Sequence, residues 1–433
     1  MTNLESFVTA QPLCDTHEHL AREADYCKWS PDVLADLFGY YTCNDLVAAG
    51  ATDEAMKRVL DSSDPDVPAR FAGIREAWER CQFTGYGHGT RLMARLAYGM
   101  EAINLDTLIK AHQIHSQRNR SGERLRLLRD QAHLDHAQVD LMHWDIGPDS
   151  LAPGFFFYDL SIRDFATGNI DLHHLAEVSS VIIRDLDTLR EAMASLFARH
   201  GRQVVAVKTQ HAYDRTLAWT ERTDSEATAV LSRKIANLSL DAKEKDCLGD
   251  WALDQAITLA TQYELPVKIH TGYLARNGYM QIDRVRVGHL CPLLARHPHA
   301  RFVLMHIASG YEHELLAIAK HFSNVFIDFC WAWTINPLTA SRFLRACLHQ
   351  VPAHRIFAFG GDSGTPTAAL AYAHQARQGL LHALGQEIAE AWLNEAEAIG
   401  IARRIMHDNQ YEAFGITALR QRLLSSASAQ THQ

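Results

Sequence analysis

The chain has 433 residues, with 42 Lys+Arg against 51 Asp+Glu for a formal net charge of −9, and is 47% hydrophobic and 21% charged. That composition suits a globular protein with a sizeable core and excludes a disordered or fibrous chain. The absence of a basic stripe with interleaved aromatics argues against a nucleic-acid partner, and no apolar run reaches the roughly 18 residues of a membrane span. The eight cysteines form no CxxC pair. With neither a positive leader nor an apolar core in MTNLESFVTAQPLCDTHEHL, they are expected to be reduced thiols of a cytoplasmic protein.

In chain order, 12–17 (PLCDTH) is predicted as the first strand. A long region follows, roughly 21–130, rich in helix formers and with periodic apolar positions such as Val33, Leu34, Leu37 and Phe38. An insertion of that size after the C-terminal end of a strand is expected to sit over the barrel mouth as a lid. Residues 138–145 (QVDLMHWD) and 155–160 (FFFYDL) are the predicted second and third strands. A stricter rhythm then begins. Helical stretches at about 186–200, 251–263, 284–296, 312–321 and 338–348 alternate with the runs 203–208 (QVVAVK), 265–270 (LPVKIH), 301–306 (RFVLMH), 324–328 (NVFID) and 355–360 (RIFAFG). Runs so nearly continuous in apolar residues suit parallel strands covered on both faces. Eight strands alternating with helices predict an α/β fold, a (β/α)8 TIM barrel, as one domain over 1–433 with the helical insertion within it. The polar tail SSASAQTHQ (425–433) is expected to fray.

Five predicted strand ends carry a residue able to bind a metal. His17 and His19 form an H-x-H whose period-two spacing puts both rings on one face. Lys208 ends strand four, His270 strand five and His306 strand six, and Asp362 follows strand eight in FAFGGDSG. Taken singly, each has an ordinary explanation: a core histidine, an ion-paired lysine, a turn or helix-cap aspartate. In a closed barrel, however, all would converge at the C-terminal mouth, where such folds place their chemistry. Imidazole and carboxylate suit zinc, manganese or iron, and an open coordination position leaves room for an activated water.

This order of ligands resembles the signature of the amidohydrolase superfamily. The segment VKTQHAYDR (207–215), the IHTGY stretch and the closing IMHDNQYEAFGI are similar to the amidohydrolase-related branch, which includes nodulin-like domains fused to glutamine synthetase. HEHL…GYYTCNDLVAAGA, HTGYLARNG (270–278), the Trp331/Trp333 pair and GGDSGTPTAALAYAHQARQGL (360–380) resemble uronate isomerase. The resemblance implies His17, His19, His270 and Asp362 as metal ligands, with Asp362 as proton shuttle. It also allows Lys208 as a carbamylated bridge, with His270 and His306 on a second ion; one ion is expected otherwise. Both Lys208 and His306 depart from the uronate isomerase pattern.

His211, Tyr213, Arg215, Arg276 and Trp331 complete the expected site as substrate-binding residues, Arg215 with an ion pair to a nearby acid as its alternative. The expectation is a metal-dependent hydrolase acting on an amide, ester or lactone of a small polar substrate such as a carboxylate. Asp362, His306 and Lys208 would be its catalytic groups, with His306 or Arg215 stabilising the oxyanion. A sugar-acid isomerase is the alternative. The partner is a small molecule, and homo-oligomer formation is left open.

Overall fold

Eight parallel strands run in sequence order around the computed structural model, which describes residues 2–29, 31–115, 119–144, 146–275 and 278–431. They are β1 (Leu13–Glu18), β2 (Leu134–Val139), β3 (Phe156–Ser161), β4 (Ala206–Thr209), β5 (Val267–Ile269), β6 (Phe302–Leu304), β7 (Val325–Asp328) and β8 (Ile356–Phe357). Nearly every strand residue is buried, because helices cover the outer face while side chains fill the inside. The chain just past β8 brings the ends of the sheet together. The Thr16 amide donates to the Phe359 carbonyl at 3.0 Å, Asp362 to His17 at 2.9 Å and His19 to Ser363 at 2.8 Å.

The predicted helices at 186–200, 312–321 and 338–348 are present as Leu186–His200, Glu312–His321 and Pro337–Gln350. Two predicted elements differ: the stretch 284–296 is α-helical only over Cys291–Arg296, behind 3-10 turns at Ile282–Val285 and Val287–Leu290, and the second strand is shifted. The second strand begins earlier than 138–145: the sheet uses LDHAQV, and the chain leaves it at Asp140, whose carboxylate accepts the Met142 amide at 2.8 Å. Met142 is then left-handed at φ 58°, which ends the ladder; Asp145 of the expected strand lies outside the described residues. The helix Ile416–Thr431, with Leu419 and Leu423 buried, runs on into the polar tail as far as Thr431; residues 432 and 433 lie outside the described residues.

Among the described residues between β1 and β2, seven helices run from Glu23–Lys28 to Leu105–His115, and the short helical stretches Glu123–Leu125 and Arg126–Gln131 follow them. Their anchor to the barrel is polar and buried. Asp36, on the helix Val33–Phe38, accepts the Thr367 hydroxyl at 2.9 and 2.7 Å and also the Tyr98 hydroxyl. Thr367 lies in the first turn of the long helix that follows β8, Pro366–Ala389. This ties the segment to the strand-eight end of the barrel, where Asp362 lies.

Candidate metal centre

Inside the barrel, Lys268 of β5 donates to both oxygens of Asp159 of β3 at 2.9 Å and to the Thr16 carbonyl at 2.7 Å, with both side chains fully buried. Burial lifts the Asp159 carboxyl to about 6 even against the opposing lysine. A buried pair of this kind fixes orientation more than it adds stability. Asp159 Oδ2 lies 3.8 Å from His17 Nδ1, so the carboxylate faces the back of that imidazole.

On the mouth side of this pair, three ligand atoms converge. His17 Nε2 and His19 Nε2 are 3.3 Å apart, and Asp362 Oδ1 is 3.2 Å from the first and 3.4 Å from the second. Two ligands bound at about 2.0–2.1 Å to one tetrahedral ion stand about 3.3–3.4 Å apart, so the trio has the spacing of a transition-metal site. The outer atoms are already held. His19 Nδ1 donates to the Asp140 carbonyl at 3.0 Å, which fixes the tautomer with its Nε2 lone pair free. Tyr41 Oη donates to Asp362 Oδ2 at 2.7 Å and lies 2.6 Å from its carbonyl oxygen. Burial, then the charge of Lys208, holds His17 well below the usual imidazole range and so keeps it a neutral donor. Burial raises the Asp362 carboxyl, opposed by His19, Lys208 and Tyr41.

Local backbone shape allows this convergence. Asp362 is left-handed at φ 53°, and Gly361 before it lies against Glu18, where an added Cβ would come within 2.0 Å of Oε1. The Glu18 carboxylate in turn accepts the Ser363 amide at 2.6 Å. The GGD sequence is therefore a close-packing requirement as well as a turn.

Lys208 is buried, with Nζ 3.4 Å from His17 Nε2. His270 does not join the tight trio, whose ligand atoms all lie within 4.8 Å of one another. Instead its Nε2 donates to the Tyr273 carbonyl at 2.7 Å, and its Nδ1 faces His306 Nε2 at 2.9 Å. His306 Nδ1 donates to the Cys330 carbonyl at 3.1 Å. Three hydrogen bonds over two rings require three protons and hence one positive charge. Burial and Lys208 oppose that charge, holding His270 at about 3 and His306 well below its ordinary value. The two rings thus present lone pairs to each other, as a second donor pair. His306, Ile307 and Ala308 are all left-handed, at φ 62°, 48° and 47°, a strained run of the kind that clusters at functional sites.

A cavity of about 610 Å³ opens above these groups, lined in part by His19, Lys208, His270 and Asp362. Tyr213 is on its wall, as expected. Tyr40, Tyr41 and Cys43 reach it from the segment after β1, Arg163 from just past β3 and Gln210 from just past β4. Tyr40, Tyr41 and Cys43 fall in the GYYTCNDLVAAGA stretch and Gln210 in VKTQHAYDR, so the signal was there, but nothing in the sequence singled out these side chains; Arg163 lay in no such stretch.

The other expected substrate-binding residues are elsewhere. Arg215 donates to Asp250 and to the Ala218 carbonyl, both at 2.6 Å, so the ion-pair alternative is the one observed. It lines a separate groove of about 650 Å³ that shares Asp214 with the cavity but holds none of the metal-binding candidates. His211 turns back to Thr209 Oγ1 at 3.0 Å and is buried. Trp331 is buried behind Tyr41, its ring stacked at 4.4 Å. Arg276 lies outside the described residues.

A family model for amidohydrolases matches residues 171–409, more than half of the chain. The chain belongs to the amidohydrolase family. Membership makes it an enzyme of that superfamily and implies a divalent metal, for which the His17–His19–Asp362 trio has the right ligand chemistry. Protein fluG of Emericella nidulans is 30% identical over 165 residues, 35% of this amidohydrolase and 19% of that protein, so the match spans about a fifth of the curated relative. Among solved structures, a uronate isomerase of Thermotoga maritima aligns over 95% of this chain and 96% of its own, with a TM-score of 0.76 at 14% identity. A glucuronate isomerase of Caulobacter crescentus aligns over 95% and 93%, with a TM-score of 0.75 at 15% identity. A Lactobacillus casei protein described as a metal-dependent hydrolase aligns over 98% and 99%, with a TM-score of 0.66 at 16% identity. At these identities the likeness establishes the barrel fold.

Proposed function

We propose that this amidohydrolase is a metal-dependent hydrolase that directs an activated water at the amide, ester or lactone carbonyl of a small polar substrate. The observation that carries this reading is the 3.2–3.4 Å spacing of His17 Nε2, His19 Nε2 and Asp362 Oδ1 at the floor of the cavity. A divalent ion on these donors, zinc first and manganese or iron as alternatives, would supply a Lewis acid for the carbonyl and lower the pKa of a water. The rest falls to the chain. Asp362 takes the proton of the attacking water and returns it to the leaving group. Tyr41 holds Oδ2, so that Oδ1 keeps facing the imidazoles. Lys208 lies beside His17 on the cavity wall and places positive charge where the carbonyl oxygen becomes negative. Arg215, bound to Asp250, is not free for that role. His270 and His306, whose facing nitrogens lie 2.9 Å apart, are kept for a second ion.

One ion on the trio is the primary reading. A second would use His270, His306 and a carbamylated Lys208, and bicarbonate would then promote its loading. The segment 21–130 acts as a lid, with Tyr40 and Tyr41 limiting water entry. No described helix is long and apolar enough to cross a membrane, and we read the enzyme as cytoplasmic, with a small-molecule substrate and no nucleic-acid partner.

A uronate-isomerase-like activity is the second reading. It is favoured by the delivery of Tyr41 to Asp362 from the segment after β1, and by full-length likeness to structures of that name. There Asp362 would move a proton between adjacent carbons. A paired assay on metal-replete protein separates the two. Hydrolysis of an amide, ester or lactone with incorporation of labelled water oxygen supports the first. Turnover of D-glucuronate or D-galacturonate to a ketose, lost on Asp362→Asn and with no hydrolysis anywhere in the screen, overturns it.

A further inference from the structure

We infer that Gln210 is a specificity-determining residue that pairs with adjacent hydrogen-bond donor and acceptor atoms on a small carboxylate substrate. The inference rests on the proposed site and deepens it. Gln210 directly follows β4, is only 6% exposed and lines the cavity beside Lys208. Its Oε1 and Nε2 are both buried, and neither has a hydrogen-bond partner.

The neighbouring polar groups on this wall are engaged. His19 donates to Asp140, and Asp362 accepts from Tyr41. Arg163 grips Asp214 through Nε and Nη2, at 2.6 to 3.0 Å. His270 donates to the Tyr273 carbonyl. A carboxamide left without partners in a buried wall is costly, and folded proteins meet such groups with a ligand or ordered water. Here the residue that carries it lines the cavity in which the proposed chemistry occurs.

The carboxamide fixes the kind of partner. Its NH2 donates and its oxygen accepts on one planar group, so full pairing requires an acceptor and a donor side by side. A primary amide supplies both, and so do sugar hydroxyls. A bare carboxylate only accepts and leaves Oε1 unmet. Lys208 on the same wall adds a place for a carboxylate, while Arg163 is taken by Asp214. The ligand class is therefore a small carboxylate that also carries an amide or hydroxyls.

The test measures equilibrium binding by calorimetry to the metal-replete enzyme, with malonamate, D-glucuronate and butanoate as probes. Wild type is expected to bind malonamate or D-glucuronate at least about tenfold more tightly than butanoate, the value of one good hydrogen bond. Whichever probe binds identifies an amide or hydroxyls as the source of the pair. Gln210→Leu should lose the preference with unchanged metal content, and should melt no lower than wild type, because it removes an unmet polar group. Gln210→Glu, which keeps the shape but has no NH2, should lose the preference as well. A wild type without preference, variants that keep it, or a Gln210→Leu protein that melts lower while Gln210→Glu binds normally would overturn the assignment. Because binding is measured without turnover, failure of every hydrolysis assay would count against the hydrolase reading alone.

Discussion

Tyr41→Phe removes a single hydroxyl from the candidate metal site and tests whether the segment after β1 holds the Asp362 carboxylate in place. Burial, then the charge of Asp362, keeps the Tyr41 phenol well above its ordinary pKa, so the hydroxyl is a donor. Its proton is shared between Asp362 Oδ2 at 2.7 Å and the carbonyl oxygen at 2.6 Å, on a residue whose backbone is left-handed. A hydrogen bond to a charged partner is worth about 1.5–3 kcal/mol. The phenyl ring stays packed against Trp331 at 4.4 Å and Tyr86 at 5.3 Å, so no large cavity opens. The variant should therefore unfold about 1.5–3 kcal/mol more easily in urea. Its metal affinity should fall about tenfold to a hundredfold, the usual cost of losing a partner that orients a ligand. Competition with a chromogenic chelator measures the second quantity. Tyr86→Phe, which keeps the same stacked ring, is the control and should change little. Unaltered metal affinity and an unaltered urea midpoint in Tyr41→Phe would refute the claim that this hydroxyl positions Asp362.

Elemental analysis of His17→Ala/His19→Ala should find the metal stripped from a protein whose circular dichroism still reports the barrel; full occupancy would remove the trio as the metal site. Gly361→Ala should cost about 2–5 kcal/mol and lower metal content, because its Cβ would meet Glu18 Oε1 at 2.0 Å and break the bond to the Ser363 amide; wild-type stability would show that the turn yields. Acid should act through His211, which burial and then Arg215 hold at about 3 against 6.5 for the free side chain. Between those values the unfolded chain binds the extra proton, so this group's contribution to stability falls as pH falls, by about 1.4 kcal/mol per unit. Asp15 and Asp328, each lifted to about 7 by burial, act in the opposite direction. The clean measurement is therefore the stability of wild type minus that of His211→Asn, which should decline from pH 6.5 to pH 4; a flat difference would mean His211 is not held neutral.

The barrel and the convergence of His17, His19 and Asp362 were legible in the sequence because both follow from local rules. Strands covered on both faces are nearly continuous in apolar residues, and a period of two puts His17 and His19 on one face. Asp362 was visible because its glycines mark a tight strand end. The end of the second strand was not, since a buried His136 and Gln138 make LDHAQV look less like a strand than the run after it. Pairing was hidden as well. Arg215 has its carboxylate 35 residues further on, at Asp250, and Tyr41 finds Asp362 across 321 residues. Sequence spacing cannot report either contact, because each depends on how separate helices and loops settle over the barrel. Gln210 is the same case in reverse: a polar side chain looks ordinary in sequence, and only the packed wall around it leaves both ends without a partner. Which residues could bind a metal was thus decided by residue type and strand position. Which of them meet, which are held by other partners and which stay open to a ligand was decided only when distant segments packed together.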